Sequence, residues 1–220
     1  MDPIELFPVK LTQIKLAKRR GFDTKHEDGL HSMSTRQFKE LYGNYAEDIK
    51  KSFREALSAI YESSDEGDNR RLYVAYAKYD RGSKQLGKPE MEIFTQIIEK
   101  YAITDAILIT AIPLSSASKD IVNKLSGTKN IQIFNDKELK FDVTEHELVP
   151  IHRLLSLEEQ MSFLQLNRAK LTQIPLIRQE DPVIKYYGWQ PGRVVQIIRT
   201  IRYLDLAIPI EIFYRVIIPS

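Results

Sequence analysis

Hydrophobic positions over the first 143 residues alternate between helix-like and strand-like spacing. Apolar residues three and four apart predict amphipathic helices, and short apolar runs bounded by turn residues predict strands. Helices are predicted over residues 6–20, 33–45, 49–61, 89–101 and 115–126, and strands over residues 72–79, 106–112 and 130–134. An order in which helices and strands alternate predicts an α/β domain with a mixed or largely parallel sheet and right-handed crossovers.

The pattern changes near residue 144 to shorter elements with more turns, so two domains are predicted, 1–143 and 144–220. Ser156 and Glu159 form a capping box that predicts a helix to about residue 167. Asp181 caps a short helix whose first residue is Pro182, and Gly188 suits its left-handed end. An apolar strand over 194–198 is expected to pair with a final strand over 210–218, which makes this a small α+β domain.

Composition narrows the functional classes. Of the 220 residues, 43% are hydrophobic and 28% charged, as in ordinary globular proteins. The net charge of +2 gives no overall attraction to nucleic acid, so any DNA contact requires a local patch. The absence of cysteine excludes disulfides and thiolate metal sites and fits an intracellular protein. No apolar run approaches the roughly 20 residues of a membrane helix, and residues 1–5 lack a signal-peptide layout, so no membrane partner is expected.

Two histidines, His146 and His152, invite a metal-binding interpretation. The zinc helix motif requires two histidines four residues apart, whereas these are six apart with Pro150 between them. No metal site is therefore predicted, and a structural or partner-binding role is favoured.

Residues 82–88 match most of a phosphate-binding loop, but Pro89 replaces the serine or threonine that holds Mg²⁺. A polar connection is therefore favoured over a nucleotide site. Candidate carboxylates of a stand-alone Mg²⁺-dependent nuclease are Asp80, Glu90, Glu92 and Asp105. Because the predicted strands contain no acidic residue in a nuclease-like spacing, catalysis is not expected, and the nuclease remains the alternative.

A longer pattern in the second domain is much more specific. The chain contains T-E-H-E-L-V-P-x-H over 144–152, I-P-L-I over 174–177, D-P-V-x-x-Y-x-G over 181–188, G-x-V-V-x-I-I-R over 192–199 and Y-R-V-I over 214–217. It resembles the C-terminal assembly domain of the fifth subunit shared by the eukaryotic nuclear RNA polymerases, a domain that also has an archaeal counterpart. A weaker resemblance to the same family extends through 19–22, 103–109 and 134–143, while residues 22–71 match poorly.

The resemblance implies a noncatalytic subunit of a multisubunit DNA-directed RNA polymerase. Its C-terminal domain would dock on the largest subunit, among other polymerase subunits, and its N-terminal jaw of restriction-endonuclease-like topology would meet downstream duplex DNA nonspecifically. The chain itself would hold no cofactor, while the parent polymerase would use Mg²⁺. The residues assigned to partner binding are Glu145, His146, Glu147, Pro150, His152, Asp181, Pro182, Tyr186, Tyr187, Gly188, Gly192, Arg199, Tyr214 and Arg215. Those assigned near DNA are Ser115, Ser116, Ala117 and Lys119.

Two departures from the family pattern are visible. The family's T-P-S-A-K loop lacks its proline here, and the family's P-S-x-T-A-G after Arg199 is replaced by 200–205 in a slightly longer connection to Tyr214. The segment Thr200–Phe213 is therefore expected to meet a different partner surface. Such divergence fits a specialised paralogue in the nucleus, or the polymerase of a large DNA virus in a viral particle or a cytoplasmic viral factory. The aromatic residues Tyr186, Tyr187 and Trp189 suit interface anchors better than stacking on nucleic acid.

Overall fold

The chain divides into two compact units, residues 1–141 and 142–220. This computed structural model describes the backbone of residues 3–80, 82–203 and 206–219, and the side chains of residues 4–80, 82–199 and 211–219. The division falls two residues before the predicted boundary. Within the described residues, no helix combines the length and the apolar character that a bilayer crossing requires.

Unit 1 is built on a four-stranded mixed sheet in the order β1-β2-β3-β4. The strands are β1 (Ala59–Glu62), β2 (Arg71–Tyr76), β3 (Asp105–Thr110) and β4 (Asn130–Asn135). β1 pairs antiparallel with β2, whereas β2, β3 and β4 run parallel. The predicted α/β class is therefore confirmed for this unit.

Helices lie between and before these strands. They are α1 (Pro3–Arg19), α2 (Thr35–Asp48), α3 (Phe53–Ala56), α4 (Lys88–Lys100) and α5 (Ser116–Ser126), with 3₁₀ helices over Lys25–Ser32 and Asp136–Leu139. The two parallel crossovers run through α4 and α5. α1 ends just before Gly21, the residue that the sequence predicts as its stop. Gly21 takes a φ of +85°, a backbone conformation that costs glycine little.

The predicted helix over 49–61 is wrong. The backbone leaves α2 after Asp48, and Lys50 has a φ of +52°. A capping box between Ser52 and Glu55 then starts the four-residue α3, and β1 follows, with Ile60 opposite Tyr73. The apolar spacing of this stretch suits either structure, and pairing with β2 satisfies backbone groups that a longer helix would leave beside the sheet edge.

The buried face of α4 also differs from the predicted one. Met91, Phe94 and Ile98 are buried, whereas Ile93 is 57% and Tyr101 is 42% exposed. The helix therefore packs through the i, i+3, i+7 stripe that begins at Met91, and part of its apolar surface faces solvent.

Two buried ion pairs lie among the described residues of unit 1. The Lys10 Nζ lies 2.7 Å from the Glu27 Oε1 and donates to the Gln13 side chain and the Leu57 carbonyl, each at 3.0 Å. The Tyr61 hydroxyl also donates to Glu27. Arg54 forms a forked pair with Asp136, with N–O distances of 2.7 and 2.9 Å.

The Arg54 guanidinium also joins two strands at their carboxyl ends. It donates to the carbonyl oxygens of Ala77 at 2.8 Å and Ile109 at 3.2 Å, just past β2 and within β3. Its centre lies 5.1 Å from the centroid of the Tyr79 ring. One side chain therefore ties the carboxyl edge of the parallel strands to the segment that follows β4.

Unit 2 is a four-stranded sheet in the order β5-β7-β8-β6, with one helix on each face. The strands are β5 (Ile151–Leu154), β6 (Leu176–Arg178), β7 (Val194–Tyr203) and β8 (Leu206–Ile218), and the helices are α6 (Leu157–Leu166) and α7 (Pro182–Tyr187), with 3₁₀ turns over Val143–Glu145 and Leu171–Gln173. Phe163 of α6 packs over Val194 and Val216, and Ile184 of α7 packs over Val195 and Ile217. This is the mixed α+β unit that the sequence predicts.

β7 and β8 form a longer hairpin than predicted. β7 continues past Ile198 to Tyr203, and the register shifts between Arg199 and Thr200, as at a β-bulge. Within the divergent segment Thr200–Phe213, the described backbone, residues 200–203 and 206–213, lies in this hairpin. The side chains of 200–210 lie outside the described part of the chain, and so does their predicted partner role.

Candidate partner-binding site

The short helix α7 is fixed at both ends by residues that the sequence singles out. The Asp181 carboxylate accepts hydrogen bonds from the backbone N–H groups of Val183 at 3.0 Å and Ile184 at 3.5 Å. Pro182 occupies the first turn, and Gly188 ends the helix with a φ of +70°. Because Ile184 is fully buried, the helix is locked onto the sheet, and Asp181 and Pro182 are held at its edge.

A groove of about 520 Å³ lies on the face of the sheet that α7 covers. The strand register explains which residues line the groove. His152 of β5 and Phe213 of β8 both pair with Ile197 of β7. Because side chains alternate between the two faces of a sheet, paired residues and every second residue along each strand share one face. Six residues assigned to partner binding line it: Pro150, His152, Asp181, Pro182, Arg199 and Arg215.

The groove has an apolar floor and an apolar rim. Ile177, Val183 and Ile197 are buried beneath it, while Leu148 is 84% and Phe213 is 41% exposed at its edge. Neither rim residue is among those assigned individually to partner binding, although Phe213 ends the segment Thr200–Phe213 that is expected to meet a partner surface. The alternation of β8, which places 213 and 215 on the same face, was the available signal for Phe213.

Two guanidinium groups border the groove. Arg215 Nη1 donates to the Leu176 carbonyl oxygen at 3.3 Å, and no ion pair includes Arg215 among the described residues. Arg199 lies 4.0 Å from a Glu211 oxygen, and its guanidinium centre lies 5.6 Å from the Phe213 ring centroid. Glu211 therefore offsets the charge of Arg199, and Arg215 is the arginine of the described lining that no carboxylate pairs with.

The histidines do not form a metal site. His152 Nδ1 lies 2.8 Å from the Pro150 carbonyl oxygen, so as a donor it fixes its own ring against the chain. His146 Nδ1 accepts from the backbone N–H of Leu148 at 3.2 Å, which shapes the turn before β5. The described residues contain no group of three side chains that could hold a metal ion.

The other residues assigned to binding lie outside the groove lining. Tyr186 is buried, and its hydroxyl donates to the Asp142 carboxylate at 3.0 Å. Tyr187 stacks on Trp189 with a centroid separation of 4.4 Å, and Tyr214 stacks on Phe163, which belongs to the opposite face. Gly192 has a φ of +84° in the turn before β7. Glu145, His146 and Glu147 are exposed in the segment before β5.

In unit 1, the four residues assigned near DNA lie together at the start of α5. Ser115 caps the helix by accepting from the backbone N–H of Ser118 at 3.3 Å. Ser116, Ala117 and Lys119 are exposed. This places a helix N-terminus and one lysine at the same point of the surface.

Of the carboxylates weighed for a nuclease, Asp80 and Asp105 lie at opposite ends of the parallel strands, and Glu90 and Glu92 lie in α4. Asp105 is the first residue of β3, one residue earlier than predicted, and accepts from Asn130 Nδ2 at 2.8 Å. Asp80 follows the carboxyl end of β2, which runs parallel to β3. Glu92 pairs with Lys88, the lysine of the phosphate-loop-like segment, at 3.3 Å. Asp80 and Glu90 line one cavity of about 290 Å³. Because Asp105 lies at the opposite end of the parallel strands and Glu92 is not in that lining, the four carboxylates do not form one cluster.

A protein-family model matches unit 2, and individual relatives align across both units. The family described as RNA polymerase Rpb5, C-terminal domain, matches residues 141–217. The DNA-directed RNA polymerases I, II, and III subunit RPABC1 of Caenorhabditis briggsae is 26% identical over 199 residues, covering 90% of each chain. The Dictyostelium discoideum subunit of the same name is 32% identical over 117 residues, covering 52% of this chain and 59% of that one.

A plant relative shows the same extent of similarity. The DNA-directed RNA polymerase subunit 5-like protein 1 of Arabidopsis thaliana is 24% identical over 197 residues and covers 89% of each chain. The family match falls on the unit whose motifs predict it, so the predicted resemblance is confirmed. Residues 141–217 are therefore similar to the Rpb5 C-terminal domain, and the chain as a whole is similar to subunits of DNA-directed RNA polymerases.

Proposed function

We propose that this chain is a subunit of a multisubunit DNA-directed RNA polymerase, and that unit 2 docks on the largest subunit through the groove beside α7. The observation that carries the proposal is the convergence of six family-motif residues on that one groove. These residues come from the segment before β5, from β5 itself, from the start of α7 and from both long strands. The fold brings them together although they span 66 positions, from 150 to 215.

The groove has the composition of a binding interface. Protein interfaces have an apolar centre and a polar rim, and arginine is enriched in them. Leu148, at 84% exposure, and Phe213 present apolar surface beside Arg199 and Arg215. Burying that surface against a partner is favourable, and the guanidinium groups can select the partner's register.

Unit 1 supports the second part of the proposal, a jaw of restriction-endonuclease-like topology that meets downstream duplex DNA. The start of α5 presents the exposed Ser116 and Lys119 beside the positive end of a helix dipole. Hydroxyls, lysines and helix N-termini contact phosphates without reading sequence. The polymerase would supply Mg²⁺ for nucleotidyl transfer, and this chain would supply no ligand to it.

The relatives come from animals, a plant and a slime mould, so we propose the nucleus as the site of action. The altered Thr200–Phe213 segment supports a divergent paralogue. A viral version, acting in a particle or a cytoplasmic factory, is the alternative.

The docking proposal can be tested by purifying the tagged full chain from its native source and identifying its partners by mass spectrometry. The largest polymerase subunit should appear in stoichiometric amount. Leu148→Asp should lower its recovery about tenfold or more, because a buried apolar anchor is worth more than about 1.4 kcal/mol in an interface.

Leu166→Asp is the matched control. Leu166 is 83% exposed at the end of α6, the helix on the other face of the sheet. Its replacement should leave recovery unchanged. Absence of the largest subunit from the unsubstituted chain, or equal losses in the two variants, would contradict docking through the groove.

The DNA proposal has its own test. Polymerase containing Lys119→Glu should photo-crosslink less to downstream duplex DNA than polymerase containing Lys124→Glu, near the other end of the same helix. Equal crosslinking of the two variants would contradict a DNA contact at the start of α5. The docking proposal would be unaffected by that result.

A further inference from the structure

We infer that the groove beside α7 receives a segment of the partner protein in which an aspartate or glutamate stands next to apolar side chains. The inference rests on the docking proposed above and specifies the chemistry of the docked segment. Its evidence is the arrangement of charge and apolar surface in the groove itself.

The apolar part of the groove sets the first requirement on the occupant. The floor of Ile177, Val183 and Ile197 is already buried, but the rim residues Leu148 and Phe213 remain exposed. A groove of about 520 Å³ accepts side chains rather than a flat surface. An occupant that covers this rim must itself be apolar over part of its length.

The charged part sets the second requirement. Arg199 and Arg215 border the groove, and Asp181 is the one carboxylate in its lining. The Asp181 Oδ1 is already engaged by two backbone N–H groups of α7. Because Arg199 already has a Glu211 oxygen at 4.0 Å, Arg215 is the guanidinium group of the two that has no carboxylate partner among the described residues.

Arg215 has the greater unused capacity of the two. A guanidinium carries five N–H donors, and Arg215 uses one of them, in a 3.3 Å contact with the Leu176 carbonyl oxygen. A carboxylate can accept two parallel N–H bonds from one guanidinium. An acidic side chain beside an apolar anchor would therefore use both features of the groove at once.

The apolar rim separates a protein segment from a small anion. Arg215 pairs with Val195, four residues along β7 from Arg199, so the two backbone positions are about 13 Å apart along the strands. A phosphate held by either guanidinium group would leave Leu148 and Phe213 uncovered. A nucleic-acid strand would place phosphates against Leu148 and Phe213, leaving the apolar rim without a partner.

The experiment places a photoreactive side chain at the rim. Phe213 is replaced by p-benzoylphenylalanine in the tagged full chain, which is expressed in its native source and purified with its polymerase. After irradiation, mass spectrometry identifies the attached peptide. The expected peptide belongs to the largest subunit and has an aspartate or glutamate within about three residues of the attachment point, the reach of a neighbouring extended segment.

The outcomes separate this inference from the docking proposal. Recovery of polymerase with attachment to a basic or uncharged peptide, to nucleic acid or to nothing would overturn the inference while docking stands. Failure to recover polymerase with the unsubstituted chain would overturn the docking proposal, and the inference with it.

Charge reversal provides a second readout. Arg215→Glu should lower the yield of the attached peptide about tenfold or more, and replacing the identified acidic residue by lysine should restore it. Arg178→Glu is the control, because Arg178 is exposed on β6 at a register position of the opposite sheet face. Equal yields from the Arg215 and Arg178 variants would overturn the inference.

Discussion

The two units use charged side chains in opposite ways. In unit 1, Lys10 and Glu27 form one ion pair with exposed side-chain fractions of 0% and 9%, and Arg54 and Asp136 form another with 11% and 0%. In unit 2, Arg199 and Arg215 stand exposed at a groove. The first arrangement serves the fold, and the second leaves charge available to a partner.

The difference follows from the cost of removing charge from water. A buried ion must have its hydrogen bonds completed by the protein, so a buried pair forms only within a nearly complete network. Burial lowers the pKa of Lys10 below its usual value of 10.5, while the Glu27 carboxylate opposes that shift. An exposed arginine side chain does not need such a network, because water accepts its N–H hydrogen bonds until a partner binds.

Asp136→Ala should have the largest effect on stability. It leaves the Arg54 guanidinium buried without its carboxylate, and breaking a buried pair costs about 3–5 kcal/mol of unfolding free energy. Urea denaturation followed by circular dichroism measures the loss. Fluorescence of Trp189, the single tryptophan, reports on unit 2.

The matched control is Arg36→Ala in the exposed pair with Glu40 on α2. That pair should contribute within about 0.5 kcal/mol. The double variant Arg54→Met, Asp136→Leu should recover part of the loss, because neither partner is then left charged. Similar losses from Asp136→Ala and Arg36→Ala would show that burial does not raise the contribution of an ion pair to stability.

Lys10→Met should destabilise unit 1 by a comparable or smaller amount, about 3 kcal/mol. The substitution leaves Glu27 in the interior, still accepting from Tyr61 but without its cation. Faster hydrogen exchange should appear in the 3₁₀ helix over Lys25–Ser32, which carries Glu27. Unchanged exchange there would show that the pair does not hold this segment in place.

Asp181→Ala should cost unit 2 about 1 kcal/mol, the usual loss when a helix cap is removed. Asp181→Asn keeps a side-chain oxygen for the Val183 N–H and should stay close to the unsubstituted protein. The midpoint of Trp189 fluorescence in urea distinguishes them. Equal midpoints for the alanine and asparagine variants would mean that the cap does not stabilise α7.

The smallest expected effect is a pH dependence in unit 2. Hydrogen bonds from Arg153 and from the Ser156 backbone hold the pKa of Glu159 below its usual value of 4.5. Because the pKa is lower in the folded state, the stabilisation is fully present above the unfolded pKa. It is lost as the pH falls through the folded value.

Glu159→Gln provides the comparison, since glutamine does not titrate. The difference in Trp189 unfolding midpoint between the two proteins should be constant above about pH 5 and shrink at lower pH, where the carboxylate takes up a proton. A difference that stays the same down to about pH 3 would contradict this assignment.

Local signals explain how much of the fold could be predicted. The caps at Ser115, Ser156 and Asp181 lie within a few residues of the groups they bind, so they mark α5, α6 and α7 correctly. β5 and β6 were not predicted, because strands of four and three residues give almost no periodicity. β1 was hidden in a pattern that a helix also fits.

The candidate site could be predicted in part for the same reason. Family motifs supply Pro150, His152, Arg199 and Arg215, but only the register of β5, β7 and β8 shows that they share a groove. The buried pairs gave no sequence signal at all. Arg54 and Asp136 are 82 positions apart, and nothing in either neighbourhood indicates the other.

The position of Arg54 has a consequence for how unit 1 folds. Proteins with open parallel sheets bind their ligands at the carboxyl ends of the strands, and here a guanidinium of the chain itself bonds the carbonyl oxygens of Ala77 and Ile109 at that edge. Because Arg54 is part of the chain, its guanidinium group cannot dissociate into solution as a bound ligand can. The stability that it provides therefore carries no dependence on ligand concentration, and unit 1 keeps this part of its folding free energy whether the chain is free or assembled.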